Sequence, residues 1–166
     1  MGNNTVFVYD AWSRVISIEN SLGKTYKTYD ENGNQLTETN ALNETTSSVY
    51  NHLDQKVKSI DAAGRETIYE YDTLGRNIKT TNSDGSENSQ VFNVLGQLES
   101  STKNERTTYY EYDTLGRQSK VIDYLGRESV NSYDGENRLI ETIDSNGDKT
   151  QYQYRGSRIT AKIQRG

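Results

Sequence analysis

Polar and apolar residues alternate with period two along short stretches of this chain, and the alternation restarts about every 21 residues. Thr67, Tyr69 and Tyr71 fall on one face of an extended segment, with Ile68 and Glu70 on the other. Thr108, Tyr110 and Tyr112 repeat the pattern, and so do Thr150, Tyr152 and Tyr154, opposite Gln151 and Gln153. Between these stretches lie segments rich in branched residues: Val15, Ile16 and Ile18; Val57 and Ile60; Ile78; Val121 and Ile122; Leu139, Ile140 and Ile143. No segment sustains a helical period, and the chain has no proline, so every ladder donor is available.

The restarts fall at Tyr9, Tyr29, Tyr50, Tyr71, Phe92, Tyr112, Tyr133 and Tyr154. A fixed period of this size means stacked copies of one supersecondary unit. The chain therefore reads as a single array over residues 1–166, with seven complete repeats and a partial eighth from Tyr154.

Each repeat carries two turn signals. The first begins directly after the leading aromatic, at Asp10, Asp30, Asn51, Asp72, Asn93, Asp113 or Asp134. Three residues later stands Gly33, Gly75, Gly96 or Gly116; Ser13, Asp54 and Asn137 take that place elsewhere. The second signal starts ten residues on and closes at Gly23, Asn43, Gly64, Gly85, Gly126 or Gly147. In the Phe92 repeat, which is a residue short, no second turn is legible. An Asp or Asn side chain accepts from the backbone two residues on, and glycine takes positive φ without steric cost. Two such turns per repeat predict two short strands joined as hairpins.

The fold class expected is all-β: tandem hairpin repeats in a long antiparallel sheet. Roughly 15 strands at ~4.8 Å spacing would run to about 70 Å, and accumulated twist would curl such a sheet into a spiral or the wall of a partial barrel. Its two edge strands would be open to pairing, so self-association through sheet edges is expected. The pattern is running by Val6 and stops soon after Tyr154, so the sequence reads as a segment of a longer array.

Composition sharpens this. Thirteen tyrosines against two phenylalanines point to burial by rings whose hydroxyls must stay wet or paired, with no deep aliphatic core. A net charge of −5 with dispersed basic residues disfavours nucleic acid and anionic membranes as partners. No apolar run reaches the ~20 residues of a membrane-spanning helix. The absence of cysteine excludes disulfides and thiolate metal sites.

Candidate chemistry is sparse. His52, the single histidine, sits in a first turn and reads as a solvated turn residue. The segments from Asp30 and from Asp144 resemble the front half of a calcium loop, but the twelfth positions hold Ala41 and Arg155 where a bidentate Glu is required. No metal or cofactor is expected. Asp10, Asp30, Asp72, Asp113 and Asp134 form a row of equivalent turn acids, unlike the paired carboxylates of acid–base catalysis. With Gly75, Arg76, Gly116, Arg117, Gly64, Gly85, Gly126 and Gly147 they read as a structural turn motif. Arg14, Arg76, Arg117 and Arg138 are placed either to pair with the turn Asp or to lie on a Tyr ring. Apolar residues at the third turn position (Trp12, Leu53, Leu74, Leu95, Leu115) are expected to pack over the rim of the next hairpin. The binding platform, if there is one, is the set of tyrosine faces: Tyr69, Tyr71, Tyr110, Tyr112, Tyr152 and Tyr154, with Trp12. Asn3-Asn4-Thr5 and Asn43-Glu44-Thr45 match glycosylation sequons, a pattern frequent by chance in an Asn- and Thr-rich chain.

The motif Tyr-Asp-x-x-Gly-Arg, at Tyr71 to Arg76 and at Tyr112 to Arg117, followed about nine residues later by a second turn glycine, resembles the YD (Rhs) repeat family. The resemblance runs from about Tyr9 to Arg155. That family includes bacterial Rhs and wall-associated toxins, the C component of insecticidal toxin complexes, and teneurins. The resemblance implies a β-sheet spiralling into a hollow shell around an effector, or a shell in a surface receptor. It implies a secreted or surface location, a structural and non-enzymatic role, and an enclosed effector domain or a glycan as partner. The proline common before the second-turn glycine in the family is absent here.

Overall fold

The computed structural model describes residues 4–165, so Asn3 of the first sequon lies outside the described residues. It is all-β: tandem antiparallel hairpins whose strands run in chain order without a crossover. Two compact units divide the chain, one ending at Glu87 and one beginning at Asn88.

In the first unit the strands are β1 (Val6–Tyr9), β2 (Val15–Asn20), β3 (Gly23–Tyr29), β4 (Gln35–Thr39), β5 (Thr45–Tyr50), β6 (Lys56–Ile60), β7 (Glu66–Tyr71) and β8 (Asn77–Asn82). The second holds all of β9 (Glu87–Phe92) but its first residue, then β10 (Leu98–Lys103), β11 (Arg106–Tyr112), β12 (Gln118–Ile122), β13 (Glu128–Tyr133), β14 (Leu139–Ile143), β15 (Lys149–Arg155) and β16 (Arg158–Arg165).

First turns join the strand that ends on a leading aromatic to the strand that follows it, and each such hairpin is one structural repeat. In the turn after Tyr71, the Gly75 N–H donates to the Asp72 carbonyl and the Asp72 N–H to the Arg76 carbonyl, both at 3.0 Å. Gly75 takes φ 80°. Ser13, Asp54 and Asn137 hold the same left-handed conformation at φ 63°, 58° and 63°. The turn ends in a β-bulge: Glu70 pairs with Lys79 and Tyr71 with Asn77, leaving Ile78 as the extra residue. The same register shift recurs at Tyr29, Tyr50, Tyr112 and Tyr133.

Two second turns depart from the predicted kind. Asn20 pairs directly with Gly23, so Ser21 and Leu22 form a two-residue connection. The Phe92 repeat also closes a hairpin: Lys103 pairs with Arg106 around Asn104 and Glu105, at φ 48° and 64°. Two successive left-handed residues make the tight hairpin turn that Asn-Gly usually supplies. This extra hairpin and the one closing on β16 bring the strand number to sixteen, against the fifteen or so expected.

No hydrophobic side chain among the described residues is buried, and Ser17 alone among them falls into the buried class. Tyr69, Tyr71, Tyr110, Tyr112, Tyr152 and Tyr154 are half-buried, as are Thr67, Thr108 and Thr150 beside them. The opposite face of the same strands is more open at Ile68, Glu70, Tyr109 and Glu111. Without a core, the array depends on its backbone ladders, on half-covered side chains and on its turns.

The apolar turn residues do not pack over a neighbouring rim. Trp12, Leu53, Leu74, Leu95 and Leu115 are 63–79% exposed. The reason is geometric: each sits at the tip of a turn whose backbone closes on itself, so its side chain projects beyond the margin.

Candidate functional site

The structurally decisive site is the seam between consecutive repeats, and ladder pairing shows why it needs help. Within the hairpin of β7 and β8, five residue pairs are in register, from Thr67 with Asn82 to Tyr71 with Asn77. Between β6 and β7, three are: Lys58 with Ile68, Ser59 with Thr67 and Ile60 with Glu66. In the second unit β12 and β13 likewise pair at three positions, all near the second turn. Towards the first-turn margin each repeat therefore parts from its predecessor.

The leading tyrosines bridge that gap. Tyr71 donates its hydroxyl to the Lys56 carbonyl at 2.8 Å, the residue that the preceding bulge sets opposite Tyr50. In the first unit Tyr29 reaches the Val15 carbonyl and Tyr50 that of Gln35, at 2.8 and 3.2 Å. In the second, Tyr112 reaches Leu98, Tyr133 reaches Gln118 and Tyr154 reaches Leu139, at 3.0, 2.9 and 2.7 Å. Partial burial comes first, and the nearby Tyr69 second, in pushing the Tyr71 phenol above its ordinary range.

The turn Asp and Arg complete the latch. Asp113 accepts the Leu115 and Arg117 N–H groups on Oδ1, at 2.9 and 3.0 Å, and Arg117 Nε on Oδ2 at 2.7 Å. Arg117 then reaches forward: Nη1 donates to the Asp134 carbonyl at 3.1 Å and to Asn137 Oδ1 at 2.9 Å. Its guanidinium lies 4.6 Å from the centroid of the Tyr133 ring. Arg138 repeats this with the Gly156 carbonyl and the Tyr154 ring, and Arg14 with the Asp30 carbonyl and the Tyr29 ring. The two roles open to these arginines in the sequence are thus filled at once.

Amide pairs do the same work without charge. Asn93 donates to Gln97 Oε1 at 2.9 Å, and Gln97 Nε2 reaches the Gly116 carbonyl at 3.0 Å. Asn51 and Gln55 form the equivalent pair. Two of the non-glycine residues at turn position four have partners of their own: Asp54 Oδ1 accepts from Asn32 and Asn34, both at 2.7 Å, and Asn137 Oδ1 from Arg117.

These contacts hold the turn acids ionised. For Asp113 the Arg117 side chain, then its backbone N–H, outweigh partial burial and keep the carboxyl below its ordinary value. For Asp134 the Arg138 backbone N–H leads, and for Asp30 the Asn34 side chain. At the other end of the seam, opposite charges meet across strands: Lys58 with Glu66 at 2.5 Å, Lys79 with Glu87 at 2.8 Å and Lys120 with Glu128 at 3.4 Å. Glu141 and Lys149, at the same repeat positions, meet at 3.5 Å with the signs exchanged.

Elsewhere the chemistry is that of turns. His52 is exposed at a first-turn tip. Asp144 Oδ1 accepts from the Asn146 and Asp148 N–H groups. Among the described residues no three His, Cys, Asp or Glu side chains gather into a metal-holding group. Tyr69 meets Ser59 Oγ at 3.1 Å, while Trp12 sits at an exposed turn tip with Arg14 over its ring. Gly64, Gly85, Gly126 and Gly147 close second turns at positive φ. No helix of the described residues is long and apolar enough to cross a membrane.

Hairpins repeated at a fixed period, with no buried hydrophobic side chain among the described residues and latched at the seams of the tyrosine-led repeats, define a repeat-built β wall. The chain belongs to the Teneurin YD-shell family, whose model matches residues 2–129. Its fold is similar to solved TcdB2-TccC3 chains: one in a structure with Cdc42 (TM-score 0.58, 15% identity, 98% of this chain and 9% of that one) and one without (TM-score 0.51, 15% identity, 96% and 12%). It is similar also to a chain of the Photorhabdus luminescens Tc holotoxin pore (TM-score 0.51, 16% identity, 96% and 13%). The chain thus spans 9–13% of the length of those chains, and at such identities the likeness concerns the fold. No curated protein matches it. Family and fold together make the chain a structural shell-wall module.

Proposed function

We propose that this module forms part of a YD-repeat shell outside the cell, enclosing or displaying another protein domain, and that it catalyses no reaction itself. The observation that carries this reading is the seam: in both units, side chains at fixed repeat positions close the margin where the ladder gives out. A wall made this way excludes proteases by a backbone ladder that side chains close where the pairing ends. The toxin complexes among its structural relatives favour a secreted setting.

Exposed tyrosine rows binding a glycan are the less favoured reading. Four of the six tyrosines on that face, Tyr69, Tyr71, Tyr112 and Tyr154, place their hydroxyls in internal hydrogen bonds. Limited proteolysis of the native protein that carries this chain tests the enclosing role. A partner domain should resist digestion, and Tyr71→Ala with Tyr133→Ala should expose it. Equal digestion with and without the substitutions would count against the shell.

A further inference from the structure

One hollow is built twice beside the second turns, once in each unit, with a single exchange that reverses its charge. In the first unit it has a volume of about 360 Å³, and Ser59, Asp61, Arg65 and Thr67 stand in its lining. In the second it has about 400 Å³, and Ser101, Lys103, Arg106 and Thr108 stand there, with Asn104. The four positions correspond. Each serine comes nine residues after a leading aromatic, Tyr50 or Phe92, and Asp61 and Lys103 each come eleven after it. Each arginine comes six residues before the next leading aromatic, Tyr71 or Tyr112, and each threonine four before it.

The first hollow satisfies itself. Arg65 Nε donates to Asp61 Oδ2 at 2.7 Å, and Ser59 Oγ meets the Tyr69 hydroxyl. The second does not. Lys103 is paired directly with Arg106, and Ser101 with Thr108, which puts all four on one face of the hairpin. Like charges opposite each other on paired strands destabilise them. No carboxylate lines this hollow: Glu105, at the tip between the two cations, lines a separate one with Thr107 and Tyr109. Among the described residues neither Lys103 nor Arg106 meets an acid, and the Ser101 and Thr108 hydroxyls have no hydrogen-bond partner. The Arg106 guanidinium lies 4.9 Å from the centroid of the Tyr124 ring, a contact that steadies it and spends none of its N–H groups.

We infer that the hollow of Ser101, Lys103, Arg106 and Thr108 binds a phosphate group, in the place where the first unit supplies the Asp61 carboxylate. A phosphate ester carries about −1.5 to −2 at pH 7, which two cations answer and one would not. Guanidinium, ammonium and two hydroxyls all donate, and a phosphate only needs to accept. A free phosphate ion and a phosphate monoester share this chemistry. The inference goes beyond the shell reading and fails separately from it, since a wall that binds no anion can still enclose.

Nuclear magnetic resonance titrations of the full chain test it, with inorganic phosphate in one arm and methyl phosphate in the other, at an ionic strength held constant with chloride. Amide shifts at Ser101, Lys103, Arg106 and Thr108 should saturate, while those at Ser59 and Thr67 should not move. Saturation with both probes assigns a site that takes the ester; saturation with inorganic phosphate alone assigns the free ion. Lys103→Asp, which restores the arrangement of Asp61 with Arg65, should fold with a higher thermal midpoint and lose the saturable response. Lys103→Gln, which leaves Arg106 as the lone cation, should weaken it severalfold. Shifts that grow without saturating, that appear equally at Ser59 and Thr67, or that survive Lys103→Asp would overturn the proposal.

Discussion

Tyr133 donates its hydroxyl to the carbonyl of Gln118 at 2.9 Å, across the seam between two repeats fifteen residues apart in the chain. Gln118 is the residue that the bulge pairs with Tyr112, the leading aromatic of the previous repeat. A repeat that precedes a tyrosine-led one thus hands a bulge carbonyl to that tyrosine. The tyrosine-led repeat is held by a polar contact at the place where β pairing ends.

Removing one hydroxyl should show this. Tyr133→Phe keeps the ring under the Arg117 guanidinium and loses the bond to Gln118, so it should destabilise by about 0.5–1.5 kcal/mol in urea denaturation. Tyr110→Phe, on the same face with no hydroxyl bond of its own, should change stability less.

Arg117 should tolerate lysine poorly. A lysine ammonium cannot donate to Asp113, Asp134 and Asn137 in the planar geometry of the guanidinium while stacking on Tyr133. Arg117→Lys should lower the thermal midpoint clearly. Arg65→Lys, in a second turn where the Arg side chain is exposed and pairs with Asp61 alone, should lower it little. A double-mutant cycle of Arg117 and Tyr133 should return a non-zero coupling.

The acid limb of the stability curve should come from the turn carboxyls. Asp113, Asp134 and Asp61 all titrate below their ordinary value of 3.8 in the folded chain, through hydrogen bonds from Arg117, Arg138 and Arg65. A carboxyl whose folded pKa lies below its unfolded one contributes stability fully present above the unfolded pKa, and that contribution is lost as pH falls through the folded pKa. Stability should therefore hold from neutral pH to about 5 and fall below about 4. The pair Asp113→Asn/Arg117→Gln, which recreates the turn of Asn93 and Gln97, should fold and show a shallower acid limb.

Backbone conformation gives two opposite outcomes. Ser13 stands at φ 63°, and Ser13→Gly should stabilise by about 0.5–1 kcal/mol, the steric cost of a left-handed residue less the entropy glycine loses. At Gly23, φ is 120° and a Cβ would run into that of Ala41, so Gly23→Ala should destabilise in the same denaturation assay.

Strands, turns and family were legible because they rest on local rules. Asx turns announce themselves in four residues, and strict alternation places Tyr69 and Tyr71 on one face. The seam was hidden for a physical reason: its acceptor is a backbone carbonyl, which every residue carries, so nothing at Lys56 or Gln118 marks it. A partial signal did exist. The exchange of Asp72 and Arg76 for Asn93 and Gln97 preserves a donor–acceptor pair four residues apart. The exchange of Lys58 and Glu66 for Glu141 and Lys149 reverses a cross-strand ion pair. The Phe92 repeat misled because Asn104 and Glu105 adopt left-handed conformations without a glycine. The turn leucines misled because an apolar residue was assumed to find cover within its own array, and none is supplied.

Amide hydrogen exchange on the variant Tyr71→Phe/Tyr112→Phe/Tyr133→Phe probes the seam most directly. Protection should fall in residues 130–133 and 109–112, which lead to the first-turn margin, and persist beside the second turns at Val121 and Ile122. An exchange pattern indistinguishable from the wild type, or one raised uniformly along every strand, would contradict a seam closed by tyrosine hydroxyls.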